Sequence, residues 1–180
     1  MKNYQRLENN HLILSLMSET DFKMVFPMMN RPEVLDTMVF DFPLNRDEIY
    51  PFFTESPQKA ADGEGFSYII THKESGDVAG MCILVDVNKE RKNGELGYWI
   101  NPLFRRQGIA YNACTLLINL AFAELGFHKI WAETFASNSA SRELLKKLGF
   151  REVGILEKEV LKHGKWRDRV QYEIVAENRK

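Results

Sequence analysis

Cysteine is scarce: the 180-residue chain has two, Cys82 and Cys114. Cys82 falls in a strand-like apolar run and Cys114 in a helix-like one, so both read as buried free thiols, not as a disulfide framework or a nucleophile. Excess charge of either sign is also missing. Twenty-four Lys and Arg against 25 Asp and Glu leave a net charge of −1, which excludes a broad electrostatic grip on nucleic acid. No apolar run reaches the about 18 residues of a membrane span. Met1–Glu8 is polar and lacks the apolar stretch of a secretory signal. Neither a membrane nor a nucleic acid is therefore expected as a partner, and the cytoplasm is the default compartment. The four histidines, His11, His72, His128 and His163, match no metal-ligand spacing, so no metal is expected. No Ser-His-Asp order appears. No repeat, low-complexity tract or linker divides the chain, which reads as one domain over residues 1–180.

Aromatic side chains are plentiful, with 12 Phe, 6 Tyr and 3 Trp. They can bury a large apolar area and argue against disorder. His11–Met17 alternates and predicts a first strand. Ser18-Glu19-Thr20-Asp21 offers a cap with acids in the first turn of a helix through Phe22–Met29. Pro32 opens a short turn or helix, and Asn45 begins a helical stretch to about Ala61. Phe66–His72, Val78–Val87 and Gly94–Ile100 follow as a meander of strands. The period then changes to that of a helix over Arg106–Leu125. A strand over His128–Thr134, a helix over Asn138–Leu148, and two strands around His163-Gly164 complete the chain. This order implies an α+β, mixed α/β, class: a central, mostly antiparallel sheet of about seven strands with helices on both faces.

The chemistry concentrates between Gly94 and Ala110. A strand ends at Asn101-Pro102, and a helix is expected from Arg106–Gly108. Gly108 and Ala110 leave room for a ligand close to the backbone. The first amides of a helix have no intrahelical partners and sit at the positive end of its dipole, which makes an anion site suited to a pyrophosphate. Arg105 and Arg106 add charge. The alternative is a plain strand-turn-helix with a solvated basic turn. A dinucleotide-binding loop needs two further glycines, and a P-loop needs Gly-Lys-Ser/Thr; the sequence has neither.

Arg105-x-x-Gly108-x-Ala110, following Tyr98-Trp99-Ile100-Asn101-Pro102, resembles the acetyl-CoA signature of the GNAT superfamily. Asn138-x-x-Ser141 followed by Leu145, Leu148, Gly149 and Phe150 resembles its second block. Leu12-x-Leu14, Asn30–Val34 and Gly164–Asp168 resemble the Rim-type branch, which acetylates ribosomal-protein N-termini and small amines. The resemblance implies a GNAT fold whose sheet splays between the strands at 94–100 and 128–134. It also implies acetyl-CoA as co-substrate, an amine acceptor, and direct attack on the thioester. Dimers are common among relatives, so a homodimer is compatible with it.

On that resemblance, amides near Trp99 and Ile100 bind pantetheine and the thioester carbonyl. Arg105, Arg106, Gln107, Gly108, Ile109, Ala110 and Tyr111 hold the pyrophosphate, and Asn138 bonds the pantetheine arm or simply caps its helix. An amine near a pKa of about 10 must lose a proton before it attacks. Glu133 and Glu95 compete for that role, against the plainer reading of each as an ion-pair partner. Glu157 and Glu159 could hold a cationic acceptor, and Trp131, Trp166 and the rings of Phe40–Phe53 could wall its site. Leu145 stands where several relatives carry the Tyr that protonates the departing thiolate, which leaves Ser141 as the candidate acid. Ser15 and Asn112 depart from the branch as well. A catalytically impaired acetyl-CoA-binding or sensor module is the second reading.

Overall fold

Alternation along the first long strands sets which face of the sheet each residue serves. In β2 (Leu12–Leu16), Leu12 and Leu14 are buried while Ser15 is exposed. The structure, a computed structural model, describes residues 4–178. β2 pairs antiparallel with β1 (Arg6–Glu8) on one side and with β3 (Phe66–His72) on the other. β4 (Val78–Asn88) and β5 (Asn93–Ile100) continue the antiparallel meander. β6 (Lys129–Phe135) then lies parallel to β5, and the hairpin of β7 (Arg151–Lys162) and β8 (Lys165–Val175) closes the sheet in the order β1-β2-β3-β4-β5-β6-β8-β7. The sheet therefore has eight strands, one more than the sequence suggested. The extra one is β1, three residues in a polar stretch whose pairing with β2 no local pattern announces.

Helices cover both faces. α1 (Phe22–Met29), α2 (Pro32–Leu35) and α3 (Arg46–Asp62) bury Phe22, Val25, Val34, Leu35, Ile49 and Phe53 in a cluster that includes Trp99. On the opposite face, α4 (Ile109–Asn119) and α5 (Ser139–Lys147) bury Ala113, Cys114, Leu117 and Leu145 against Leu84, Leu96, Ile130 and Tyr172. Burying each Leu in such a cluster contributes about 2 kcal/mol. Both cysteines are free and buried. Ser18 opens its helical segment as expected, its amide donating to the Asp21 carboxylate at 2.8 Å. No helix among the described residues is long and apolar enough to cross a membrane.

α4 starts later than its apolar period implies. Arg106 and Gly108 have φ of 62° and 76°, a left-handed conformation that a right-handed helix cannot include. The helix therefore begins at Ile109, and Arg106–Gly108 form a loop before it. It ends as a π-helical turn over Leu120–Glu124. The rings of the 40–53 segment divide: Phe53 is core, whereas Phe40, Phe42 and Tyr50 are exposed.

β4 and β5 approach too closely at Gly80 for any side chain. A Cβ there would lie 2.2 Å from the Trp99 carbonyl oxygen. Gly80→Ala should cost about 1–3 kcal/mol through forced backbone separation, a melting-midpoint drop of roughly 2–4 °C per kcal/mol. Thermal unfolding of the variant checks this.

Candidate active site

β5 and β6 begin as neighbours and then part. Their parallel pairing holds only Asn93↔Lys129, Gly94↔Ile130 and Glu95↔Trp131. β5 stays paired with β4 as far as Ile100↔Gly80, and β6 with β8 as far as Phe135↔Arg169. Each strand is thus held from its outer side while a gap opens between them. The Asn101 amide donates to Ala79 O of β4 at 2.9 Å. Alternation along an antiparallel strand then points the Trp99 amide at β4 and turns the Tyr98 and Ile100 amides into the gap. The sequence expectation of free amides near Trp99 and Ile100 thus falls on Tyr98 and Ile100. The Trp99 side chain packs in the cluster beneath α1–α3, and its indole Nε1–H is buried without a partner among the described residues.

A cavity of about 550 Å³ follows this gap to the N-terminus of α4. Its wall includes Trp99, Ile100, Arg105, Arg106, Gly108, Ile109, Ala110, Tyr111, Glu133, Asn138 and Ser141, so most of the residues singled out in the sequence converge here. At its far end, the backbone amides of Arg106 through Tyr111 donate to no carbonyl among the described residues, and the helical ladder resumes with Asn112 N to Gly108 O at 3.0 Å. Six consecutive free donors at the positive end of a helix form an anion cradle. A Cβ on Gly108 would find its nearest neighbour at 3.7 Å, the amide nitrogen of Asn112. Its left-handed φ, more than crowding by protein atoms, is what requires glycine.

Two side chains of the loop behave differently from their sequence reading. The Arg105 guanidinium turns back on the chain, donating to Glu33 O at 2.7 Å and Ile100 O at 3.4 Å. It ties α2 to the loop and is not aimed at an anion. The Gln107 side chain likewise donates to Leu103 O at 3.0 Å, and the residue is not part of the cavity wall. Arg106 is exposed beside the cradle, and Lys147 joins it from α5, its ammonium 4.7 Å from the centre of the Tyr111 ring. Lys147 was missed in the sequence, where it reads as an ordinary last-turn lysine. Only the packing of α5 beside α4 brings it to the cavity. Asn138 is a true cap, accepting from the Ser141 amide at 3.1 Å.

The carboxylates lie where the strands diverge. Glu95 and Glu133 project from the same sheet face, with Arg169 of β8 between them. Arg169 is 2.7 Å from Glu133 Oε2 and 3.8 Å from Glu95 Oε1. Gln171 donates to the other Glu133 oxygen at 3.2 Å. Both Glu133 oxygens are therefore engaged, and its side chain is only 10% exposed. Glu95, which is not part of the cavity wall, has no partner that close among the described residues. Burial pushes its carboxyl up to about 7, Arg169 opposes the shift, and Glu133 and Asp86 add to it. Glu157 and Glu159 are exposed on β7 and do not line the cavity; Trp166, 60% exposed, does not either. Among the described residues, no cluster of His, Cys, Asp and Glu has the geometry of a metal site.

Known proteins give this arrangement its class, that of the N-acetyltransferases. The family described as the acetyltransferase (GNAT) domain matches residues 11–151, and the chain belongs to that family. An uncharacterized N-acetyltransferase, YoaA, of Bacillus subtilis (strain 168) is 24% identical over 169 residues, covering 94% of this chain and 96% of the relative. Among solved structures, spermidine N-acetyltransferase from Vibrio cholerae in complex with CoA and spermine superposes with a TM-score of 0.83 at 19% identity, covering 94% of this chain and 98% of that one. The ribosomal-protein-S5-alanine acetyltransferase from Vibrio fischeri also reaches 0.83, at 18% identity, over 97% and 98% of the two chains. At these identities the two structures share the fold.

Glu95 links this site to pH. Its folded-state value near 7 lies above the ordinary 4.5, so between these limits the folded protein holds a proton that the unfolded chain releases. The stability this gives is full below about pH 4.5 and is lost as pH rises through about 7. Glu95→Gln should match wild type in melting midpoint near about pH 4 and exceed it by a few degrees near about pH 8, as read by thermal unfolding at the two pH values.

Proposed function

We propose that this N-acetyltransferase moves the acetyl group of acetyl-CoA onto a primary amine by direct attack, the acceptor being a small polyamine-like cation or a protein N-terminus. The observation that carries this reading is the run of free amides from Arg106 to Tyr111 at the end of a gap between two strands. The diphosphate of CoA supplies the charge that such a cradle needs, with Arg106 and Lys147 alongside. The pantetheine arm then runs up the gap, where the Tyr98 and Ile100 amides meet its amide groups. Unmet, buried donors of this kind would each cost about 1–3 kcal/mol. Asn138 borders the same path.

An amine arriving at the divergence of β5 and β6 meets Glu133 in the cavity wall, with Glu95 on the same sheet face across Arg169. A cationic acceptor suits that acidic end. The bound spermine of one structural neighbour and the ribosomal-protein alanine named by the other are the two acceptor types that fit. Of the two carboxylates, Glu95 suits the base. It titrates near neutrality, where a general base is most effective, and it can act through one water. Glu133 is spent on Arg169 and Gln171, so its role is to hold Arg169 and shape the wall.

Two measurements test this. CoA should raise the melting midpoint of the wild type, because a ligand that binds only the folded state stabilises it. Gly108→Val, strained at a left-handed position, should weaken that binding by at least about ten-fold, or 1.4 kcal/mol. An unchanged affinity would remove the anion cradle from the argument. In an acetylation screen of peptides, polyamines and amino acids, turnover should rise with pH through about 7 in the wild type, and Glu95→Gln should abolish that rise while lowering kcat about 100-fold. If Glu133→Gln abolishes it instead, the base is Glu133.

A further inference from the structure

The departing sulfur also needs a proton, and this inference rests on the acetyl-transfer reading above. The cavity wall holds five hydroxyl-bearing residues: Thr37, Tyr98, Tyr111, Thr134 and Ser141. Tyr111 lies beneath the Lys147 ammonium at the anion end. Tyr98 and Ser141 stand apart because they are bonded to each other. The Tyr98 Oη and Ser141 Oγ are 2.8 Å apart, and the bond joins β5 to the helix that follows β6. Neither hydroxyl makes another side-chain hydrogen bond among the described residues. Two hydroxyls in one hydrogen bond carry two protons and use only one of them. The second proton has no acceptor among the described residues.

We propose that Tyr98 is the general acid of the reaction, donating its phenolic proton to the CoA thiolate, with Ser141 a positioning residue that donates to the phenolic oxygen. A phenol is a far stronger acid than an alkyl hydroxyl, so the proton leaves from Tyr98. Ser141, as donor, points the Tyr98 O–H away from itself and stabilises the phenolate that forms. The amine lone pair forms the N–C bond and the carbonyl pair moves to oxygen. When that pair returns, the C–S bond breaks toward sulfur, and sulfur takes the Tyr98 proton. The proton lost by the amine to Glu95 passes through solvent to restore Tyr98, so the sum is an amide and a free thiol.

Burial supports the assignment. It raises the Tyr98 hydroxyl well above its ordinary value, with the neighbouring Cys114 and Tyr172 adding to the shift and the Ser141 bond opposing it. The acid is thus charged with its proton at every working pH. A thiolate expelled into the same dry space is raised as well, as the buried Cys114 thiol is, which narrows the acidity difference across the transfer. Leu145, buried beside the pair, has nothing to donate.

The test uses the full chain with Tyr98→Phe, which keeps the ring, and Ser141→Ala. Tyr98→Phe should lower kcat about 100-fold, with the KM for acetyl-CoA and the melting midpoint near wild type. Ser141→Ala should fall less, and Ser141→Thr should recover most of that loss. A second readout separates chemistry from packing. Across acetyl thioesters of increasingly acidic thiols, the wild-type rate should vary little, while Tyr98→Phe should be slow with basic leaving groups and approach wild type with acidic ones. Wild-type kcat in Tyr98→Phe, or a loss equal across all donors, would overturn the assignment and leave acetyl transfer standing. A wild type that neither binds CoA nor acetylates any amine would overturn both.

Discussion

The departure of β6 from β5 after Glu95↔Trp131 governs the rest of the site. A parallel pair that stops after three residues leaves main-chain donors and acceptors unpaired inside a fold, and such groups must find partners. Two features make the opening sustainable. β4 and β8 each hold one of the diverging strands to its end, so neither strand frays when it loses the other. Arg169 reaches from β8 past β6 toward Glu95, so an ion-pair bridge spans the point of divergence where backbone bonds cease. The gap is therefore a built slot lined with oriented peptide groups. An extended ligand rich in amides can complete the sheet there as a missing strand would.

The slot is polarised along its length, which the net charge of −1 conceals. One end has the dipole of α4, six free amides, Arg106 and Lys147. The other has Glu133, with Glu95 on the same sheet face outside the wall. A molecule with a diphosphate at one end and an electrophile at the other can lie in only one direction. Orientation thus comes from charges fixed in the fold before any ligand arrives, which lowers the cost of assembling the reactants.

Local features of this arrangement were legible in the sequence, and tertiary ones were not. The motif from Arg105 to Ala110 was readable because a left-handed Gly108 and free helix amides are consequences of the local chain. The Asn138 cap, the antiparallel meander and the change of period at the loop were readable for the same reason. The eighth strand, β1, was not, because three polar residues gain strand structure only by pairing with β2. Arg105 shows the limit most clearly. Its place in the motif suggested an anion ligand, yet Glu33, 72 residues away in sequence, takes its guanidinium. Lys147 and Arg169 enter the site through packing between elements distant in sequence, and no spacing rule marks them.

The two carboxylates show how the fold divides labour between identical groups. Glu95 and Glu133 lie on one face near a single guanidinium, and that guanidinium is not shared equally. The position 2.7 Å away satisfies Glu133 with a short, charge-assisted bond, and Gln171 completes it. Glu95 has only the longer 3.8 Å approach. With that weak compensation its burial decides, and its proton affinity rises toward neutrality. The asymmetry of about one ångström in the placement of Arg169 leaves burial to decide the proton affinity of Glu95.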